Sequence, residues 1–223
     1  MHKPLIAASL IAMALAAPMA HAHQAGDLIL RVGAATVAPN EDSSDLSIAG
    51  SKAAGTKATL DSDTQLGLTG TYMVTDHLGI GLLAATPFQH SVGVKGLGAL
   101  DGKLADIKHL PPTLTLQYFP LDSASKVQPY VGAGINYTLF FDEDLTSQRS
   151  AQGFSNLKLD NSVGLALEAG LDYQITENVL FNASVWYLDI DTTATTNLDG
   201  VGKVKVDVDV DPWVYMVGLG YKF

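Results

Sequence analysis

The side chains that could do chemistry in this chain do not form a recognisable catalytic set. Ser91 directly follows His90, but adjacency in a sequence does not place a nucleophile against its base in space. The glycine-rich stretch GVKGLGALDGKL, residues 93–104, has Leu97 and Leu104 where a phosphate-binding loop needs Gly and Ser or Thr. We therefore expect no enzymatic activity, no cofactor and no metal centre.

Four charged residues alternate with apolar neighbours: Arg31, Glu168, Asp172 and Lys222. Successive side chains of a β-strand point to opposite faces, so these charges would share the face that the apolar neighbours leave free. Opposite charges that are buried are tolerated only when they are paired. If that face is enclosed, we expect the four residues to form a polar structural plug.

The elements that carry these residues are strands, because apolar residues recur at every second position in eight segments. The segments lie near residues 27–36, 65–72, 78–84, 113–118, 131–141, 163–175, 179–187 and 213–223. Short connections near 75–77, 120–127 and 176–178 alternate with long polar ones near 37–62, 88–110, 142–160 and 190–205. The pattern predicts an all-β fold, an eight-stranded antiparallel transmembrane β-barrel with short periplasmic turns and long external loops.

The predicted outer face is apolar at nearly every position and ends in Tyr, Trp and Phe. This pattern favours a lipid-facing surface over the small core of a soluble barrel or sandwich. A closed barrel leaves no unpaired edge in hydrocarbon, so the last segment must pair with the first.

The N-terminus has the features of a secretory signal. Lys3 precedes an apolar run that Pro18 ends, and the small residues Ala20 and Ala22 match a signal peptidase site. We predict a cleaved signal peptide over residues 1–22 and a single barrel domain over 23–223, in the outer membrane of a Gram-negative bacterium. The chain has no cysteine and a net charge of −10, which argues against nucleic-acid binding.

Strand parity predicts an apolar upper lumen. If Trp213 and Tyr187 face lipid, a set of apolar residues near the external end faces inward; a bulge near Pro212 would invert part of it. The set is Phe140, Trp186, Leu188, Ile190, Val208 and Val210. With the polar plug below, this lumen forms a funnel that requires an exit at the side.

Five stretches resemble the outer membrane protein W family: KHLPPTLTLQYF, VQPYVGAGINYT, FFDEDL, WYLDIDTTA and VDVDPWVYMVGLGYKF. The resemblance covers essentially the whole chain after residue 22. It implies passage of small, mainly hydrophobic molecules, with lateral release into the bilayer at a proline that Pro87 matches. It also implies that the terminal Phe223 is read by the barrel-assembly machinery.

Several alternatives stay open at this stage. Pro87 lies where a strand could simply end, because proline cannot donate a ladder hydrogen bond. The chain could instead be a narrow channel for small polar solutes such as amino acids, or a structural or receptor barrel that docks phage or bacteriocin without transport. Expected partners are outer-membrane lipid and lipopolysaccharide, and a monomer is expected.

An acidic rim is predicted near the external end. The carboxylates could be solvated or could bind divalent cations near lipopolysaccharide phosphates, since these cations prefer oxygen ligands. The solvated rim is favoured because calcium-loop spacing is absent from the sequence. The rim residues are Asp142, Glu143, Asp144, Asp207 and Asp209.

Overall fold

The computed structural model describes residues 23–223, so the predicted signal peptide lies outside the described residues. This part of the chain forms seventeen strands and one α-helix, α1 (Ser147–Ala151), with a 3-10 turn at Gly98–Leu100. No helix within residues 23–223 is long and apolar enough to cross a membrane. The strands are β1 (Leu28–Ala38), β2 (Asp42–Ser43), β3 (Leu46–Ile48), β4 (Ser51–Ala53), β5 (Lys57–Leu60), β6 (Asp63–Met73), β7 (Leu78–Ala85), β8 (Phe88–Lys95), β9 (Gly102–Leu110), β10 (Thr113–Tyr118), β11 (Val127–Leu145), β12 (Phe154–Leu159), β13 (Ser162–Gln174), β14 (Val179–Leu188), β15 (Asp191–Leu198), β16 (Gly202–Asp209) and β17 (Trp213–Lys222).

Eight of these strands close into an antiparallel barrel, which confirms the predicted fold. Their order around the barrel is β1, β6, β7, β10, β11, β13, β14, β17 and back to β1. The closing pair runs from Ile29 opposite Lys222 to Ala38 opposite Trp213. Three short turns mark what we call the lower end of the barrel, and the longer connections mark its upper end.

The outer face of the barrel is apolar along its whole height. Val163 is 73% exposed and Leu165 is 67% exposed, which suits lipid contact rather than water. Aromatic residues form a lower girdle and an upper girdle on this face, as expected at the two membrane interfaces. The lower girdle contains Tyr72, Tyr118, Tyr173 and Tyr221, and the upper girdle contains Tyr137, Tyr187, Trp213 and Tyr215.

The four connections predicted as long polar loops are largely strands, which corrects that prediction. β5, β8 and β9 continue the barrel wall upward beside the upper part of β11. A second sheet has the order β12, β15, β16, β3, β4, with β2 also paired to β16. These pairings join distant segments, as when Val204 lies opposite Ile48, so local periodicity could not reveal them. The wall therefore extends well above the upper girdle.

The strand is interrupted between β16 and β17, but the same side of the strand faces the lumen before and after the interruption. Asp211 has a φ of 38°, a left-handed conformation that turns the strand at this point. Val210, before the interruption, and Val214, after it, are both buried. The inversion considered for a bulge near Pro212 does not occur.

Candidate functional site

A buried ion pair forms the centre of the lower lumen. Arg31 on β1 donates from Nε to Oδ1 of Asp172 on β13 over 2.9 Å, and its Nη2 donates to Oδ2. Each side chain is at most 2% exposed. Two parallel hydrogen bonds of this kind fix both the distance and the orientation of the pair.

Further polar side chains hydrogen-bond to both members of this pair. The Nε2 atom of His23 donates to Asp172 Oδ2 over 2.9 Å, and Asn182 donates to Asp172 Oδ1 over 2.8 Å. Arg31 Nη1 donates to the hydroxyl of Thr71 over 2.8 Å. Because the bonds come from several strands, they tie the barrel wall together from the inside. We call Arg31, Asp172, His23, Asn182 and Thr71 the polar floor.

Two predicted plug residues lie outside this floor. Glu168 lies near Trp186, one layer above, where it accepts a 2.7 Å hydrogen bond from Thr115. Lys222 lies at the lower edge of the barrel, with its Nζ 3.6 Å from Asp27. The predicted plug is therefore spread over three levels.

Apolar side chains seal the lumen beneath the polar floor. They pack with no exposed surface, so the lower end of the lumen is closed. These residues are Ile29, Met73, Phe119 and Leu180.

On its β14 and β17 side the lumen turns apolar immediately above Glu168, whereas Thr113, Asn136 and Thr138 on β10 and β11 stay buried and hydrogen-bonded to one another above that level. Trp186 and Leu188 are at most 2% exposed and belong to one cluster with Val214 and Met216. Trp186 on β14 is thus the boundary between a hydrogen-bonded layer and an apolar one.

The upper lumen contains an apolar cavity of about 70 Å³. Phe140, Val208 and Val210 line it, and Ile190 lines a narrower space of about 10 Å³ next to it. Leu60, Phe140 and Val210 line both, so the two spaces are neighbours. The structure thus places four of the six predicted lumen residues at these spaces, with Trp186 and Leu188 in the packed layer below.

The ladder between β7 and β10 is interrupted near the upper girdle. Leu83 pairs with Thr113, and the next pair upward is Phe88 with His109, which belongs to β8 and β9. The described register contains no pair between residues 84–87 and residues 110–112. We call these two facing segments the seam.

Prolines stand on both sides of the seam. Pro87, Pro111 and Pro112 have no N–H and cannot supply ladder bonds. On the side that faces β6, this segment remains paired, since Thr86 N–H donates to the Leu66 carbonyl over 2.9 Å. Pro87 itself is exposed on the outer surface. Pro87 therefore lies in the two-residue gap between the end of β7 and the start of β8, where the wall is interrupted.

Two histidines meet directly above the seam, although the sequence placed them in a loop. His90 on β8 and His109 on β9 approach to 2.9 Å between their Nε2 atoms. Ser91 is turned away from His90 and its hydroxyl donates to Asp106 over 3.2 Å. The adjacent Ser91 and His90 therefore do not form a nucleophile–base pair.

The acidic rim is partly neutralised by lysines. Asp142 lies 3.0 Å from Lys108, and Asp207 lies 3.1 Å from Lys205. Glu143 is likewise 3.7 Å from a lysine Nζ. These pairs leave fewer carboxylates for a divalent cation than the sequence suggested.

The C-terminal residue lies at the lower end of the barrel. Phe223 N–H donates to the Leu28 carbonyl over 2.9 Å, which extends the closing ladder by one bond. The Phe223 ring is 65% exposed and lies 4.6 Å from the ring of Tyr221. The ring is accessible from outside the barrel.

Comparison with known proteins gives a consistent result over the whole described chain. Residues 24–223 match the OmpW family. Outer membrane protein W of Vibrio cholerae is 46% identical, with 99% of this chain and all of that protein covered. The crystal structure of the outer membrane protein OprG from Pseudomonas aeruginosa superposes with a TM-score of 0.88 at 63% identity, over 90% of this chain and 97% of that one.

A more distant relative is named for an operon of aromatic metabolism rather than for its place in the membrane. The dibenzothiophene metabolism operon protein PahQ of Pseudomonas aeruginosa is 28% identical over 68% of this chain and 68% of its own length. The relatives with higher identity are outer membrane proteins by name, so the barrel described above belongs in the outer membrane.

Proposed function

The chain belongs to the OmpW family, and on that premise we propose that it is a passive, non-enzymatic channel for small, mainly hydrophobic molecules in the outer membrane. The observation that carries the proposal is the apolar cavity of the upper lumen. A general diffusion porin has a polar lumen, because its solutes keep their water. An apolar lining disfavours such solutes and favours those that gain by leaving water.

The route cannot continue straight down past the polar floor. Arg31 and Asp172 are fully desolvated and bonded to their neighbours, so opening this level would break several charge-assisted bonds at once. The seam offers an exit that breaks no ladder bond. We therefore propose that the solute leaves sideways at Pro87 and enters the bilayer near the upper girdle.

The name of PahQ is compatible with this solute class. Dibenzothiophene is a fused aromatic compound with little affinity for water, and PahQ is named for an operon of its metabolism. By analogy with that relative, small aromatic molecules are reasonable first solutes to test.

The apolar path is tested by a charge in the cavity. Val208→Arg introduces a cation into the lining, and Val201→Arg makes the same change at a 47% exposed turn between β15 and β16. Vesicles with lipopolysaccharide in the outer leaflet and cyclodextrin inside would report naphthalene entry, with glutamine as a polar solute of similar size. We expect Val208→Arg to slow naphthalene entry at least tenfold and Val201→Arg to leave it unchanged.

The competing functions predict other outcomes in these vesicles. Faster passage of glutamine than of naphthalene would make this a narrow channel for polar solutes. Passage of neither solute above empty vesicles would favour a structural or receptor barrel.

The lateral exit is tested separately by a removable crosslink. The chain has no cysteine, so Thr86→Cys with Leu110→Cys places one disulfide across the seam. Leu68→Cys with Ala84→Cys is the matched control, since these two residues are paired across the intact β6–β7 ladder. We expect oxidation of the seam pair to reduce naphthalene entry, reduction to restore it, and the control pair to have no effect. Equal entry before and after oxidation of the seam pair would remove the lateral exit.

A further inference from the structure

We infer that His109 determines specificity on the lateral route, because its Nδ1 accepts a hydrogen bond from a hydroxyl or N–H group of an otherwise apolar solute. The inference rests on the proposed function and adds a substrate class to it. The class is small apolar molecules, aromatic ones above all, that carry one hydrogen-bond donor.

His109 lies where the upper cavity meets the seam. Its ladder pair with Phe88 is the first one above the seam. Its ring is stacked between Phe88 and Phe140, with ring centroids at 5.5 Å and 5.8 Å. It also lines the 10 Å³ space that shares Phe140 and Val210 with the upper cavity. A solute that moves from the cavity to the seam therefore passes this ring.

The hydrogen bonds around His90 assign the protons of both rings. His90 Nδ1 lies 2.5 Å from the carbonyl oxygen of Asp61, which can only accept, so Nδ1 carries the proton. With a neutral His90 ring, its Nε2 has a lone pair, and His109 Nε2, at 2.9 Å, is the donor to it. A neutral imidazole has one N–H, so Nδ1 of His109 is left as an acceptor.

His109 is kept in this neutral form by its surroundings. Burial, together with the nearby His90, lowers the pKa of His109 from 6.5 to about 3, although Asp63 opposes the shift. Its ring lies above the upper girdle, in the part of the wall that extends beyond the membrane. At neutral pH the ring therefore accepts one hydrogen bond and donates one.

The accepting nitrogen has no partner among the described residues. Nδ1 of His109 is buried and makes no hydrogen bond within residues 23–223. A buried acceptor without a partner is unfavourable, so a donor brought by a solute gains more here than in water. The adjoining 10 Å³ space holds about one water-sized group, which is the size of a hydroxyl or an N–H. The Phe140 ring, which lines the same space, suits the rest of an aromatic solute.

Phenol and toluene form the matched pair of probes, because they have equal size and differ in one donor. Binding to the full barrel in nanodiscs is measured in sealed cells, with empty nanodiscs subtracted. The readout is the ratio of phenol affinity to toluene affinity, and comparing this ratio between wild type and variant cancels the general difference in hydrophobicity of the two probes. We expect His109→Phe, which keeps the aromatic stack, to lower this ratio roughly tenfold, the value of one buried hydrogen bond. His77→Phe, in a lower turn, is the control and leaves the ratio unchanged.

A second measurement needs no variant. In the wild-type barrel labelled with 15N-histidine, phenol should move the Nδ1 resonance of His109, and toluene should not. A phenol-to-toluene ratio that His109→Phe leaves intact, or an Nδ1 resonance that phenol leaves in place, overturns the inference. In either case naphthalene entry can persist, so the proposed function stands. Absence of binding by both probes, with no naphthalene entry, overturns both.

Discussion

The lower and upper levels of the lumen behave as opposites, although β14 contributes side chains to both. β14 supplies Asn182 to the polar floor and, four residues later, Trp186 to the apolar layer. The floor depends on directional bonds between groups that cannot move apart without leaving a charge unpaired. The upper lumen depends on apolar contacts, which are individually weak and have no required direction, so one apolar group can replace another. It also retains a cavity. One strand pattern can thus seal one level of a barrel and leave another accessible.

The largest effect is expected from breaking the ion pair of the floor. Asp172→Leu leaves Arg31 buried without its carboxylate, which should cost about 4 kcal/mol in the free energy of unfolding. The double variant Arg31→Met with Asp172→Leu removes both charges and should recover most of that loss. Urea titration in lipid vesicles measures both values. Asp209→Leu, at an exposed rim position, is the control and should change stability by less than about 0.5 kcal/mol.

The ion-pair comparison has a clear contrary outcome. If Asp172→Leu unfolds at the same urea concentration as wild type, the floor is not the rigid half of the lumen.

Removal of the boundary residue should have a somewhat smaller effect. Trp186→Ala leaves a cavity in the packed apolar layer and should cost about 3 kcal/mol. Trp213→Ala, on the lipid face, makes the same chemical change where lipid can refill the space, so its loss should be smaller. Equal losses for the two variants in urea unfolding would contradict a packed boundary inside the barrel.

The upper wall should respond to acid through His109. The folded state holds this imidazole neutral, with its pKa near 3, whereas the unfolded chain titrates near 6.5. The unfolded state therefore binds more protons below pH 6.5, and stability is full above that pH and falls as the pH is lowered towards 3. Between pH 7 and pH 5 the loss should be about 2 kcal/mol. His109→Phe should flatten this part of the pH profile, and an unchanged profile would show that His109 is solvated.

The smallest effect is expected from the loss of a single side-chain hydrogen bond. Thr115→Val removes the 2.7 Å hydrogen bond to Glu168 and should cost about 1 kcal/mol. Thr64→Val, which removes a bond to Thr36 on the outer face, should cost less because that position is exposed. Unfolding in urea compares the two, and a larger loss for Thr64→Val would reverse the expected order.

The barrel strands could be predicted from the sequence because apolar residues alternate regularly over six or more residues in each of them. β10 was predicted at 113–118 and lies there, and β14 was predicted at 179–187 and ends one residue later. Strand parity also predicted which face of β14 and β16 is buried. Each of these features depends only on residues that are close in the chain.

Features that depend on register between distant segments could not be predicted. His23 joins the floor through Asp172, 149 residues away, and nothing near His23 indicates that contact. The pairing of His90 with His109 likewise requires β8 and β9 to be aligned, and both segments are rich in polar residues. Short strands such as β3 have too few residues for a period of two to emerge.

The pairing of β1 with β17 has a consequence for how the protein is made. The first and last strands meet over ten residue pairs, so the contact that closes the barrel is also the one with the greatest separation along the chain. Contacts of this kind form late and slowly, because a long stretch of chain must first be ordered. Until then β1 and β17 each expose one edge of unsatisfied backbone groups, which hydrocarbon does not tolerate. Closure of the barrel is therefore a single, final event. A chain that lacks β1 or β17 cannot form a closed barrel with this pairing.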